Sequence, residues 1–218
     1  MDYDYKFKVA IVGDSCVGKS SLLYREVYND FLNIYEPTVA VGFSSKNIKY
    51  NNNIVKLNIW DLSGDDRYRT VLKSYLKHVD LVLLVYDVTN INSFNNIKEW
   101  VKLVESSQII NPNYILLANK IDCDKRVVDV DMGIRYALNN NMIYLDVSAK
   151  TGKTMNFLNM ISEVLMEKKY NETSLNKNRK NNTTVQKINE ILKNEEMYND
   201  NKNKNEDNGV RWCSCDIF

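Results

Sequence analysis

Apolar residues along this chain alternate between two spacings. Phe7 to Val12 is an apolar, β-branched run ending at Gly13, the pattern of a buried strand. Leu22, Leu23 and Val27 then recur at helical spacing, which predicts a helix starting near Gly18. Two strands follow, Phe43 to Tyr50 and Ile54 to Asp61. Their join, Asn51-Asn52-Asn53, is short and turn-prone, which predicts an antiparallel hairpin. In the second strand Val55, Leu57 and Ile59 alternate with Lys56 and Asn58, so one buried face and one wet face are expected. Leu81 to Tyr86, Tyr114 to Ala118 and Ile143 to Val147 can each be buried on both faces. Phe94, Ile97, Val101 and Val104 keep helical spacing, as do Phe157, Ile161, Val164 and Leu165. Repeated strand–helix units with buried strands predict an α/β fold in three layers. The expected sheet is six-stranded and mostly parallel with one antiparallel strand, covered by about five helices.

After Tyr170 the pattern stops. Asn and Lys dominate, and such a segment cannot bury enough surface to fold alone. The organisation expected is a folded domain over 1–170, a flexible Asn/Lys-rich tail over 171–212, and a distinct segment over 213–218. Eight basic against seven acidic residues in 171–212 do not make a polybasic tail. Val185, Ile188, Ile191 and Leu192 share one face of what reads as a transient helix.

Composition narrows the function classes. Hydrophobic residues make up 44%, enough for a core, and the net charge of +1 supplies no field to attract nucleic acid. With 4 Cys in no zinc-like spacing and a single His, a structural or His-based metal centre is not expected. The N-terminus lacks a signal-peptide pattern, Asp2 excludes N-myristoylation, and no apolar run is long enough to cross a bilayer. A cytosolic, monomeric protein is expected.

The chemistry lies in three loops. Gly13-Asp14-Ser15-Cys16-Val17-Gly18-Lys19-Ser20 fits G-x-x-x-x-G-K-[ST] in full, between a predicted strand and a predicted helix that continues with Ser21. Its glycines let the backbone wrap a polyphosphate with N–H groups turned inward. Lys19 supplies charge for β- and γ-phosphates, Ser20 a hydroxyl for Mg²⁺, and the helix its positive end. Asn119-Lys120-Ile121-Asp122 follows the strand ending at Ala118. A carboxylate such as Asp122 accepts two parallel hydrogen bonds, which guanine offers at N1–H and its exocyclic amine and adenine does not. Asn119 can tie this loop to the phosphate loop, and the Lys120 stem can cover the base. Ser148-Ala149-Lys150 follows the next strand, where a backbone N–H can reach the guanine oxygen. An ATPase or kinase reading of the phosphate loop is disfavoured by Asn119 to Asp122.

With Trp60-Asp61-x-x-Gly64 between them, these motifs resemble the Rab family of Ras-superfamily small GTPases across residues 6 to 169. Lys56-Leu57-Asn58-Ile59-Trp60-Asp61, Arg67-Tyr68-Arg69-Thr70 and Leu84-Val85-Tyr86-Asp87-Val88-Thr89 carry the Rab-like detail. The resemblance implies a GTP/GDP switch with Mg²⁺, recruiting effectors in vesicle trafficking on the cytoplasmic face of an endomembrane. It implies that Thr38, after Tyr35-Glu36-Pro37, contacts Mg²⁺ and the γ-phosphate, that Tyr35 lies at the nucleotide, and that Asp61 holds Mg²⁺ through water. It further implies that the Gly64 N–H binds the γ-phosphate, that Phe31 stacks on the base, and that Phe43, Trp60 and Tyr75 read effectors. Exchange factors, GAPs and GDI or escort proteins are the implied partners.

The chain departs from that family at the catalytic position. Asp65-Asp66 stand where Gln-Glu is usual. The family Gln accepts from the attacking water and donates to the transition state, whereas ionised Asp only accepts. Asp65 is also shorter and adds charge near an anionic phosphate, so slow hydrolysis is expected unless a GAP of the TBC type supplies Arg and Gln in trans. The alternative is a GTP-held scaffold that docks effectors without cycling. After Thr38 the run Val39-Ala40-Val41-Gly42 displaces the usual glycine, which bears on strand pairing and effector choice. Finally, Cys213-Ser214-Cys215 resembles the C-x-C prenylation pattern, and Cys215 to Phe218 an imperfect C-a-a-X, so a prenyl anchor is expected on Cys213, Cys215 or both.

Overall fold

The structure is a computed structural model that describes residues 2–31, 36–107, 112–154 and 156–175. Strand β1 (Tyr5–Val12) feeds helix α1 (Lys19–Tyr28). Strands β2 (Val41–Tyr50) and β3 (Asn53–Leu62) precede a short 3₁₀ turn (Asp66–Tyr68) and α2 (Arg69–Leu76). Then come β4 (Leu81–Asp87), α3 (Ile91–Asn95) and α4 (Ile97–Glu105). The remaining elements are β5 (Asn113–Asn119), α5 (Val130–Asn139), β6 (Ile143–Asp146) and α6 (Phe157–Leu175). Among the described residues the sheet has six strands in the order β2-β3-β1-β4-β5-β6. β2 is antiparallel to β3 and the other pairs are parallel, as the patterning predicts.

The pleat of β1 sorts its side chains into two cores. Ala10 and Val12 join Leu72 and Leu76 of α2, Ile97, Trp100 and Val104 of α4, and Ala137 of α5 on one face. Val9 and Ile11 point the other way, toward the layer of α1 and α6, where Leu22, Phe157 and Ile161 are buried. β4 lies at the centre and every residue of it is buried.

Five details differ from the sequence expectation. Asn53 pairs with Tyr50, so the hairpin loop is only Asn51-Asn52, with Asn51 in the left-handed region at φ 52°. The wet face of β3 is not uniformly wet, because Asn58 is buried. β6 is not covered on both faces: Tyr144 and Asp146 are half-buried, since β6 is an edge strand. The helix predicted from Phe94 to Val104 breaks at Asn96, and its anchor is the fully buried Trp100 while Val101 is half-exposed. α6 also runs to Leu175, past the predicted boundary at 170.

Glu26 joins the two helices of the α1–α6 layer. Its spacing from Leu22 and Leu23 places it on the apolar face of α1, and it is buried there. Its Oε1 accepts from the backbone N–H groups of Asn156 at 2.6 Å and Phe157 at 2.9 Å, capping the start of α6 from another helix. Burial pushes its carboxyl above the ordinary 4.5, against the pull of those N–H groups and Lys46. A folded-state value above the unfolded one means the folded chain holds more protons between the two values. The stability Glu26 contributes therefore rises as pH falls through that window, and the cost of the buried charge is in force above it. Glu26→Gln keeps the acceptor without the charge. It is expected to raise the melting temperature at pH 7, by a margin that shrinks toward pH 5. Glu26→Ala, which orphans two N–H groups, is expected to cost about 1–3 kcal/mol. Thermal melts of the three proteins at both pH values measure this.

Candidate nucleotide site

All three sequence motifs leave the carboxyl edge of the sheet. The phosphate loop follows β1, Asp61 lies near the end of β3, Asn119 ends β5, and Ser148 comes just after β6. This is the edge where open parallel sheets bind ligands, and β1 lies between β3 and β4 at the point where the strand order reverses.

The phosphate loop needs its glycines. Gly13 has φ +147°, and a Cβ there would lie 2.2 Å from the Val85 carbonyl oxygen. Gly18 has φ +94°, and a Cβ would lie 2.3 Å from Asn119 Nδ2. Cys16 takes the left-handed region without being glycine, at φ 64°. Ser15 and Cys16 are exposed and Val17 is buried beneath them. Ser21 follows, half-buried in α1. Lys19 is buried, and its Nζ donates to the carbonyls of Gly13 at 2.9 Å and Asp14 at 2.7 Å, which holds the ammonium inside the loop. Burial lowers its pKa to about 8, opposed by the Asp61 and Asp14 carboxylates.

Beside Lys19 three oxygen groups converge. Ser20 Oγ donates to Asp61 Oδ2 at 2.5 Å and lies 2.8 Å from Thr38 Oγ1, which is itself 3.4 Å from Asp61 Oδ2. Burial raises the Asp61 pKa, with Ser20 and Lys19 pulling it back. Asp61 Oδ1 is buried without a hydrogen-bond partner. Two hydroxyls and a carboxylate with an orphaned oxygen are the hard, oxygen-only donors that Mg²⁺ takes, so the residues fit that ion. Among the described residues no cluster of three His, Cys, Asp or Glu could hold a metal instead. Gly64 lies close by, where a Cβ would be 2.2 Å from the Ser15 nitrogen, so its backbone approaches the phosphate loop directly.

The loops expected to read the base lock together. Asn119 is buried, donates from Nδ2 to the Val17 carbonyl at 2.8 Å, and accepts at Oδ1 from the Ala149 N–H at 3.3 Å. It thus ties the loops of 13–20 and 148–150 to β5. Ser148 Oγ donates to Asp122 Oδ1 at 2.6 Å and orients that carboxylate. Lys120, at φ 68°, pairs with Asp87 Oδ2 at 2.7 Å, which fixes its stem.

Sequence reading missed several supports of this site. Arg25 donates from Nε to the Ala149 carbonyl at 2.9 Å and from Nη2 to the Lys150 carbonyl at 2.8 Å, fixing the peptide planes of that loop. Arg126 pairs with both oxygens of Asp146, at 2.8 and 3.0 Å, clamping the loop after Asp122 to β6. These residues sit in no motif.

Of the remaining expected residues, Phe31 is half-buried next to Asp30, whose Oδ1 accepts its N–H at 2.7 Å. Tyr35, Cys213 and Cys215 lie outside the described residues. Phe43 and Trp60 meet across β2 and β3 edge to face, with centroids 4.9 Å apart. Phe43 is 58% and Tyr75 37% exposed, together with Val39 and Val71, so core packing does not account for Phe43 and Tyr75. The displaced glycine has a clear outcome. Ala40 holds the left-handed conformation at φ 56°, which favours glycine, and Gly42 sits opposite Asp61 in an unbroken β2–β3 ladder.

Asp65, expected from the sequence at the catalytic position, is engaged. Asp65 caps the 3₁₀ turn by accepting the Arg67 N–H at 2.9 Å, and its carboxylate pairs with the same guanidinium through Nε at 2.9 Å and Nη2 at 2.6 Å. Those bonds hold its pKa below the ordinary carboxylate value. Asp66 pairs with Arg69 at 2.6 Å. The extra charge at residue 65 is therefore matched by Arg67.

A family model described as the Ras family matches residues 8–167. The GTP-binding protein ypt1 of Schizosaccharomyces pombe is 36% identical over 187 residues, 84% of this chain and 92% of that protein. The Ras-related protein Rab-1 of Theileria parva is 41% identical over 152 residues, 69% of either chain. The GTP-binding protein YPT1 of Saccharomyces cerevisiae is 36% identical over 190 residues, 84% of this chain and 92% of that protein.

Proposed function

This chain belongs to the Ras family of small GTPases, among the Rab proteins, and from that membership we propose that it is a GTP/GDP-controlled switch that recruits effectors in vesicle trafficking. The observation that carries the reading is the meeting of three groups at one sheet edge. They are Lys19 in its loop, the Ser20–Thr38–Asp61 oxygens, and the Asn119–Asp122–Ser148 base reader. Ser20, Thr38 and Asp61 would hold Mg²⁺, which supplies positive charge to the phosphate oxygens. Lys19 binds the β- and γ-phosphates, the Gly64 N–H the γ-phosphate, and Asp122 the guanine edge. Phe31 and Tyr35 close over the nucleoside. Phe43, Trp60 and Tyr75 present the surface an effector reads. Exchange factors, GAPs and GDI or escort proteins are the partners that such a cycle requires. Cys213 and Cys215 would carry prenyl groups, with the chain after α6 as tether to a membrane.

Nucleotide content of the purified protein, followed by competition binding, tests this reading. Bound GDP or GTP, displaced by either but not by equimolar ATP, is the expected result; equal displacement by ATP would overturn it. The commitment of Asp65 to Arg67 supports a second reading, a GTP-held scaffold docking effectors on membranes. The two part on whether a TBC-type GAP accelerates phosphate release.

A further inference from the structure

The side chain of Asp14, within the phosphate loop, is bound by the helix across the sheet edge. Its Oδ1 accepts from the indole Nε1 of Trp100 at 2.7 Å and its Oδ2 from Nδ2 of Asn96 at 2.8 Å. Its main-chain carbonyl accepts from Lys19 Nζ, so the same residue touches the phosphate-binding ammonium. Trp100 is fully buried in α4. The edge of its ring holds Asp14, while its face carries the Arg69 guanidinium 4.7 Å from the centroid. Arg69 opens α2, and its Nε donates to Asp66 Oδ1 at 2.6 Å. Asp66 and Arg69 lie two and five residues after Gly64, whose backbone approaches Ser15 of the same loop.

A fixed indole thus stands between the phosphate loop and residues 66–69, the segment that comes shortly after Gly64. Its buried N–H is costly to leave without an acceptor, so Asp14 cannot drift from Trp100 freely. The stacked guanidinium depends on the ring plane, so Arg69 senses the same side chain from its other aspect. We propose that Trp100 is a positioning residue that couples residues 66–69 to the phosphate loop, so that the hold of the loop on a nucleotide depends on where Arg69 lies. This rests on the switch reading above. When residues 66–69 leave Trp100, the indole loses one of its two polar partners, and Asp14 and Lys19 loosen with it.

A double-mutant cycle of Asp14→Ala and Arg69→Leu decides the matter, since these residues meet Trp100 from different sides. The readout is the release rate of fluorescent GDP and of a fluorescent non-hydrolysable GTP analogue from the full chain. Each single change is expected to speed GDP release. The double variant is expected to fall short of the product of the two effects by at least about threefold. That shortfall is expected to vanish in a Trp100→Phe background, which keeps the ring and removes the N–H. Effects that simply multiply in the native background would overturn the proposal, as would a shortfall that persists with Phe at 100. If Trp100→Phe does not fold, as judged by thermal melting, the cycle in the native background decides alone. A native chain that retained no guanine nucleotide would remove the switch reading itself, an outcome separate from lost coupling.

Discussion

Changing Asp122 to Asn is expected to lower affinity for GTP and GDP by roughly 10²–10⁴-fold and to transfer preference to xanthine nucleotides. Donors and acceptors decide the preference. An ionised carboxylate accepts both the N1–H and the exocyclic amine of guanine, and bonds to a charged acceptor contribute about 1.5–3 kcal/mol each. Asn offers one acceptor and one donor, so its NH₂ meets the guanine amine donor to donor. Xanthine carries a carbonyl in place of that amine and matches Asn. The geometry leaves little room to adapt, because Ser148 Oγ at 2.6 Å fixes one carboxylate oxygen and Asn119 bridges the neighbouring loops. The phosphate grip through Lys19 and Ser20 is untouched, so the variant is expected to fold and to bind the matching nucleotide. Competition of GTP, XTP and ATP against a fluorescent guanine nucleotide measures the ranking. An unchanged ranking would show that Asp122 does not read the base.

That prediction could be framed from sequence because its residues are contiguous. A phosphate loop works through successive backbone N–H groups, and a base-reading loop through residues a few positions apart, so their chemistry is written locally. The same holds for β1, β4 and β5, whose apolar runs directly state burial on both faces. The supports of the site were not legible for the opposite reason. Arg25 reaches Ala149 and Lys150, Asp14 reaches Trp100, and Arg126 reaches Asp146, each across a long stretch of chain and none at a telling spacing. Such contacts exist only once the sheet order brings separate loops to one edge. Glu26 is different, because a signal was present. A carboxylate in helical register with Leu22 and Leu23 is a charge on an apolar face, and buried charges need partners. Ala40 gave a weaker signal of the same kind: the glycine had moved, and Ala40 takes a backbone conformation that favours one.

Asp65→Gln is expected to raise the single-turnover rate of GTP hydrolysis by about 10²- to 10³-fold, the range of one well-placed transition-state hydrogen bond. Two features of the native residue oppose catalysis. Its carboxylate accepts but cannot donate, and since Arg67 holds its pKa below the ordinary range, lowering pH to 5 does not supply the missing proton. Its acceptor capacity is also spent, on the Arg67 N–H and on two guanidinium nitrogens. Repulsion of the γ-phosphate is the weaker objection, because Arg67 balances the charge. Gln supplies donor and acceptor together, with the added reach of one methylene. Asp65→Asn separates these terms, since it regains the donor but not the reach, and an intermediate rate is expected of it. Arg67→Ala leaves the Asp65 carboxylate unbalanced beside the nucleotide, and it is expected to slow hydrolysis below the native rate. Quenched-flow or filter assays on protein preloaded with labelled GTP give all four rates at pH 5 to 8. A native rate equal to that of Asp65→Gln would mean that residue 65 does not position the attacking water.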